Sequence, residues 1–356
     1  MINKRTILLL LMFFVFFTND SSYAKNECSK YSEATSKDKE YRISFGDSGV
    51  GGLIFSLDVL QELETKLKDL ESKYEIKFIF HHVGDSKNAP YGSKTPDQIK
   101  DLTKSFTDYM ANLPNTRTPV IACNTASTVY DADMDALFKK KYPNLSVITM
   151  IDDSSKAIID SATSNVKNKR DVYIALLATP ATIKSGSYQT QIKNITDSNK
   201  QNLRLHTYSP EKWVKNIEGG VDKKMAESDV ANDLEIFKNQ IGKDFNKIKV
   251  AGLFCTHYPF YKNEIKDFFT KNGNENVKIL TQGNIFSDKI YKDILLNISN
   301  DNYQYHKRKS LVPQKCVEEI AINSDVTGDN IQQMKNTIDK THPQYAKKIN
   351  FRYVSF

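Results

Sequence analysis

The chain has 356 residues with 39% hydrophobic and 26% charged content, the make-up of an ordinary globular protein of about two domains at roughly 150 residues each, which excludes fibrous and wholly disordered architectures. The formal charge is +7, yet only seven of the 50 basic residues are Arg and no dense basic run occurs, so a solvated lysine-rich surface accounts for it and no nucleic-acid partner is expected. Four cysteines, at 28, 123, 255 and 316, form no CxxC pair; they are too few for a disulfide scaffold and wrongly spaced for structural zinc, and no metal is expected.

In chain order, Lys4 and Arg5 precede an unbroken apolar run of 11 residues from Ile7 to Phe17, and Ser22-Tyr23-Ala24 places small residues where a signal peptidase reads. The run is short of the roughly 20 residues a spanning helix needs. Residues 1–24 therefore read as a signal peptide cleaved near Ala24, which predicts a periplasmic or secreted protein of 332 residues and net charge +6, with no membrane attachment after cleavage. Residues 25–40 read as a flexible polar lead-in. Arg42 to Phe45 then reads as a strand entering the glycine-rich stretch 46–52, with a helix from Leu53 to Leu70, a strand from Ile76 to Val83, and a helix from Pro96 to Leu113 that Thr95 can cap. Pro119 to Ala122 reads as a strand, Ala126 to Lys140 as a helix and Ser146 to Ile151 as a fourth strand. A second series follows: strand Val172 to Ala178, helix from about Ile183, strand Arg204 to Tyr208, helix Asp229 to Gln240, strand Lys249 to Phe254, helix from Pro259 and strand Lys278 to Leu280.

Short strands alternating with helices imply parallel sheets covered on both faces, and two series imply two α/β domains. The predicted boundaries are 41–150, completed by 279–300, for the first and 151–278 for the second, with 301–356 a polar, helical C-terminal extension. In open α/β sheets ligands bind beyond the carboxyl ends of the strands. Cys123 and Cys255 hold matching places there, each directly after an apolar strand and before a helix. A thiol so placed is expected to feel the positive end of the helix dipole, lowering its pKa from about 8.5 toward neutrality. Either cysteine alone reads as a small core residue, but the matched pair points to proton transfer at carbon, one thiolate removing a proton while the opposing thiol delivers another. No GxGxxG or GxxxxGK[ST] motif occurs, so no nucleotide site and no cofactor is expected.

GDSGVGG at 46–52, APYGSK at 89–94, VIACNTAS at 120–127, ATPATIKSGSY at 178–188 and CTHYP at 255–259, in this order and spacing, resemble the cofactor-independent aspartate/glutamate racemase superfamily, and glutamate racemase most closely. The resemblance spans about Ile43 to Phe286. It implies two similar flavodoxin-like parallel-sheet α/β domains related by a pseudo-twofold, with a small amino-acid substrate in the cleft between them. It implies that Cys123 exchanges the α-proton of the D-enantiomer and Cys255 that of the L-enantiomer, Asp47 assisting the first and His257 with Glu218 the second. Glu218 is placed by WVKNIEGG at 213–220. Ser48, Tyr91, Gly92, Asn124, Thr125, Thr182 and Thr256 would hold the substrate's amino and carboxylate groups. Read without the resemblance, Tyr91-Gly92 is a turn, Thr182 a helix cap and His257 a core histidine. His81, His82 and Trp213 read as packing residues.

Lys87-Asn88, Phe254 and Thr281-Gln282-Gly283 depart from the family pattern beside the cleft, which leaves glutamate, aspartate or a wider set of amino acids as substrates. Export also departs from glutamate racemases that supply D-glutamate for peptidoglycan precursors inside the cell. Two other readings stand beside an exported amino-acid racemase: another isomerase of the superfamily, such as a hydantoin racemase, and a non-catalytic periplasmic binding protein for acidic amino acids. A homodimer is also among the expectations. Because an oxidising compartment favours disulfides, Cys28 and Cys316, outside the family core, are expected to pair and tie the two extensions together.

Overall fold

A computed structural model describes residues 39–164, 171–200, 202–299, 306–307, 320–324 and 329–353. Residues 1–38, with Cys28 and Cys316, lie outside the described residues, and with them the expected leader, its cleavage and the disulfide; the last two residues of the expected flexible lead-in, Lys39 and Glu40, instead begin the first strand. No helix among the described residues is long and apolar enough to cross a membrane.

The chain begins with β1 (Lys39–Asp47), α1 (Val50–Lys73), β2 (Ile76–Gly84), α2 (Pro96–Asn112), β3 (Thr116–Ile121), the single turn α3 (Asn124–Ser127) and α4 (Ala132–Lys141). Thr95 caps α2 through a reciprocal capping box with Gln98, which satisfies two backbone donors at once. The helix expected over Ala126 to Lys140 is instead two pieces. The carboxylate of Asp131 accepts from the Met134 N–H at 2.8 Å and starts α4 anew, as an N-cap aspartate does. The strand expected over Ser146 to Ile151 is reduced to one bridge between Val120 and Ile148. Beyond it the Met150 N–H donates to Ser127 Oγ at 3.0 Å rather than to the ladder, and the chain turns straight into α5 (Ile151–Thr163), a helix the sequence reading missed.

The second unit runs through β4 (Val172–Leu177), α6 (Pro180–Ser185), α7 (Ser187–Ser198), β5 (Leu203–Tyr208), α8 (Trp213–Glu218), α9 (Lys223–Ile241), β6 (Ile248–Leu253), α10 (Lys262–Lys271) and β7 (Lys278–Leu280). Gly186, at φ +71°, separates α6 from α7; this left-handed conformation suits a residue without Cβ. β1 lies between β2 and β3, and β4 lies between β5 and β6, every pairing being parallel. β7 flanks β6 as the Val120–Ile148 bridge flanks β3. The two units thus repeat one flavodoxin-like strand order, and both sheets are buried on both faces.

After β7 the chain returns to the first unit as α11 (Gly283–Ser299), whose Phe286, Ile290 and Ile294 share a core with Leu53, Leu57 and Leu60 of α1. The extension is not simply helical. It adds β8 (Ile320–Ser324) beside β2, then α12 (Asp329–Thr341) and β9 (Ile349–Tyr353), so among the described residues the first sheet has five strands and the second four. His81 and His82 serve the fold: His81 meets the Arg42 guanidinium at 2.9 Å and His82 meets Ser56 Oγ at 3.2 Å, and burial pushes His82 down to about 3. Trp213 is fully buried, donating to Asp233 at 2.8 Å.

Candidate active site

Because every sheet neighbour is parallel, the carboxyl ends of the strands in each unit lie together, and the two sets face each other. Asp47 ends β1, Cys123 follows β3 by two residues and Cys255 follows β6 by two. Both thiols are free and buried, and both line one chamber of about 20 Å³. Of the residues singled out in the sequence, all but Glu218 and Thr182 line it as well.

On the first unit, Asp47 Oδ1 accepts from the Ser48 N–H at 2.6 Å and the Gly49 N–H at 3.2 Å, and Oδ2 accepts from Thr256 Oγ1 across the cleft at 3.2 Å. Burial pushes the Asp47 carboxyl up to about 6, opposed by the neighbouring His257 and by the Ser48 and Thr256 hydrogen bonds. Cys123 Sγ accepts from the Ala126 N–H at 3.4 Å. Burial pushes its thiol well above the ordinary range and the Asp47 charge adds to this, while the Ala126 and Ser48 hydrogen bonds oppose it. The expected depression of this thiol by a helix dipole is therefore corrected. α3 is one turn long, and its few N–H groups do not outweigh desolvation.

On the second unit, Cys255 precedes a 3₁₀ turn, Tyr258–Tyr261, that runs directly into α10 at Lys262, three residues after the start expected at Pro259. Its Sγ lies 3.8 Å from His257 Nδ1, and His257 Nε2 lies 2.5 Å from Glu218 Oε1. Burial of His257 disfavours its charge, but the contacts with Cys255 and Glu218 prevail and raise it well above the ordinary value. The ring is set between a carboxylate and a sulfur, both of which favour its charged form. Glu218 Oε1 also accepts from the Val50 N–H at 2.8 Å, so one carboxylate reaches from the end of α8 to the start of α1. This approach depends on glycine: a Cβ on Gly49 would overlap the Glu218 carboxylate, and one on Gly51 would come within 2.5 Å of His257 Nδ1.

Hydroxyls join the units on the other side of the chamber. Thr125 lies 2.8 Å from Thr179 and 3.0 Å from Thr182, and Thr179 lies 2.9 Å from Thr182, oxygen to oxygen. The Tyr91 hydroxyl donates to Asp85. The Asn124 side chain bonds Gln282 and Tyr188. Sequence reasoning did not single out Thr179, Val214, Tyr188 or Gln282 as site residues. Thr179 carried a readable signal, since Thr179-Pro180 is a capped helix start. Among the described residues no group of three or more His, Cys, Asp or Glu side chains is placed to hold a metal ion.

Twin parallel sheets meeting over a buried thiol pair define a pseudo-symmetric two-domain α/β class, and known proteins narrow it. No protein-family model matches the chain. The glutamate racemase of Clostridium acetobutylicum is 31% identical over 280 residues, covering 76% of this chain and 93% of that protein. The glutamate racemase of a Sulfurovum species is 30% identical over 234 residues, covering 65% and 76%. Among solved structures, a glutamate racemase isoform of Bacillus anthracis superposes with a TM-score of 0.62 at 19% identity, covering 89% of this chain and 98% of that one. The Francisella tularensis glutamate racemase, in complex with D-glutamate, superposes at 0.60 with 21% identity, covering 88% and 97%. The chain belongs to the glutamate racemase family and is an amino-acid racemase, an isomerase.

Proposed function

We propose that the chain interconverts L- and D-glutamate by passing a proton between Cα and each of two thiols, with no cofactor; aspartate is the alternative substrate. The observation that carries this reading is the placing of Cys123 and Cys255 on opposite units of one chamber, each beside its own proton-handling partner. With the L-enantiomer, Cys255, its Sγ beside His257 Nδ1, acts as the base and takes the α-proton, and the Cα–H electron pair passes into the carboxylate as a planar carbanion. The Cys123 thiol then delivers its proton to the opposite face. In the D-direction Asp47, poised at about 6, accepts the Cys123 proton so that the sulfur can take the α-proton, and Cys255, protonated by His257, delivers its proton to the opposite face. The hydroxyls of Ser48, Thr125 and Thr256 and backbone N–H groups offer neutral donors for the developing carboxylate charge.

A chamber of about 20 Å³ has room for one water, which needs about 10–15 Å³, and not for an amino acid. Substrate admission on this reading requires the units to part. A 280 Å³ depression sharing Pro90, Gly92, Thr179 and Val214 with the chamber is the way in. The leader at 1–24 supports a further proposal, that the enzyme works outside the cytoplasm; a mature N-terminus at Lys25 in the exported fraction is the result expected.

The test is α-proton exchange in deuterated water, followed by NMR for both enantiomers of glutamate and aspartate. Exchange with inversion supports racemisation, and tight binding without exchange favours a binding protein instead. Cys123→Ala and Cys255→Ala are each expected to lower racemisation by roughly 10²- to 10⁴-fold, the usual contribution of a positioned acid or base. An unchanged rate in either variant contradicts the mechanism.

A further inference from the structure

We propose that Gln282 is a positioning residue for the Cys123 half of the reaction, holding through Asn124 the one-turn helix that carries the Cys123 sulfur. The proposal rests on the two-thiol reading. Gln282 stands where the chain leaves β7 and crosses back into α11. It is 3% exposed and Asn124 is 2% exposed. Their amides face each other in a closed pair: Asn124 Nδ2 donates to Gln282 Oε1 at 2.9 Å, and Gln282 Nε2 donates back to Asn124 Oδ1 at 3.0 Å. Tyr188 OH donates to the same Asn124 Oδ1 at 2.5 Å, and Gln282 Nε2 also donates to Ser154 Oγ at 2.6 Å.

Ser154 lies in the first turn of α5, just past the chain's other crossing between the units, and Tyr188 OH also donates to Met150 O at 3.2 Å in that crossing. Both crossings are thus joined by one buried polar cluster to the residue that follows Cys123. A single helical turn has almost no intrinsic rigidity, so its orientation is set by such outside bonds. The far end of α3 is fixed separately, Ser127 Oγ donating to Ile121 O at 3.2 Å and accepting from the Met150 N–H at 3.0 Å. The bonds of Gln282 go to Asn124, Ser154 and Tyr188, and not to the His257–Glu218 pair that serves Cys255. Removing its amide leaves unsatisfied the buried side chain of Asn124, the residue directly after Cys123, and satisfied buried amides of this kind hold a single geometry.

The experiment compares the parent with Gln282→Met, which keeps the volume and removes the amide, using D- and L-glutamate protiated or deuterated at Cα. In the D-direction Cys123 removes the label; in the L-direction Cys255 does. The variant is expected to lose about tenfold in kcat/KM in both directions, as an equilibrium constant of unity requires and as loss of a buried hydrogen-bonded partner implies. The primary isotope effect on kcat/KM is expected to rise for the D-substrate relative to the L-substrate. Isotope effects that stay in the parent's ratio overturn the proposal, whatever the size of the rate loss. If Gln282→Met does not fold, Tyr188→Phe, which removes only the hydroxyl on Asn124, decides alone by the same ratio. A parent enzyme in which Cys123→Ala leaves exchange intact defeats the two-thiol reading itself, an outcome separate from an unmoved isotope ratio.

Discussion

Asp47 ties catalysis to stability through one buried carboxyl. Its folded value of about 6 lies above the ordinary 3.8. Below 3.8 the group is protonated in both folded and unfolded chains and contributes no difference; between 3.8 and 6 the unfolded chain loses its proton first, so stability falls as pH rises. Above 6 the full loss, roughly 3 kcal/mol, is in place. Asp47→Asn is therefore expected to stabilise the protein relative to the parent by an amount that grows from about half a kcal/mol at pH 4 to roughly 3 kcal/mol at pH 7.5, measured by urea unfolding at both values. The same change should lower kcat/KM by roughly 10²-fold or more. A stability difference that is flat with pH would show that Asp47 is not held in its proton-bearing form. Much of the site was readable at this scale, because a residue directly after a strand has only one place to be. Gln282 was not, since its partners Asn124 and Ser154 lie far away in the sequence and only the crossing of the chain brings them to it.

α12 joins the first unit's core against α1. Met334 and Ile338 are 5% and 1% exposed and share a core with Leu57, Leu60 and Leu67. His342 Nε2 meets Asp58 Oδ1 at 3.1 Å, and the Tyr345 hydroxyl donates to Glu64 at 3.1 Å, so the segment after α12 is tied to α1 by polar bonds too. Ile338→Ala is expected to cost about 2–5 kcal/mol, the range for emptying a buried aliphatic site, in a single unfolding transition. A loss below about half a kcal/mol would mean that the extension folds apart from the unit. The helix was legible, for α12 repeats apolar residues at helical spacing, but β8 and β9 were not. IAINS and INFRY are short and flanked by polar residues, and what makes them strands is the edge of β2 for the first and the first for the second, tertiary partners that no local pattern encodes.

At the scale of the whole molecule, the duplication was written in the order of elements: parallel strands buried on both faces read as apolar runs, and two runs of them read as two units. What the order of elements did not contain is how closely the units approach. That approach is set by Gly49 and Gly51 against Glu218 and His257, by Thr256 against Asp47, and by the three threonines opposite. It brings two thiols to a common space, and the account stands or falls on whether two separate groups handle the proton. The direct measurement is circular dichroism of a single glutamate enantiomer racemising in deuterated water. Two thiols on opposite faces deliver deuterium to the product while the remaining substrate keeps its protium; the deuterated product returns more slowly, and the ellipticity crosses zero before settling on it. The account predicts that overshoot from both enantiomers. A smooth decay to zero from either one, with deuterium entering substrate and product alike, would mean that a single group carries the proton and would contradict it.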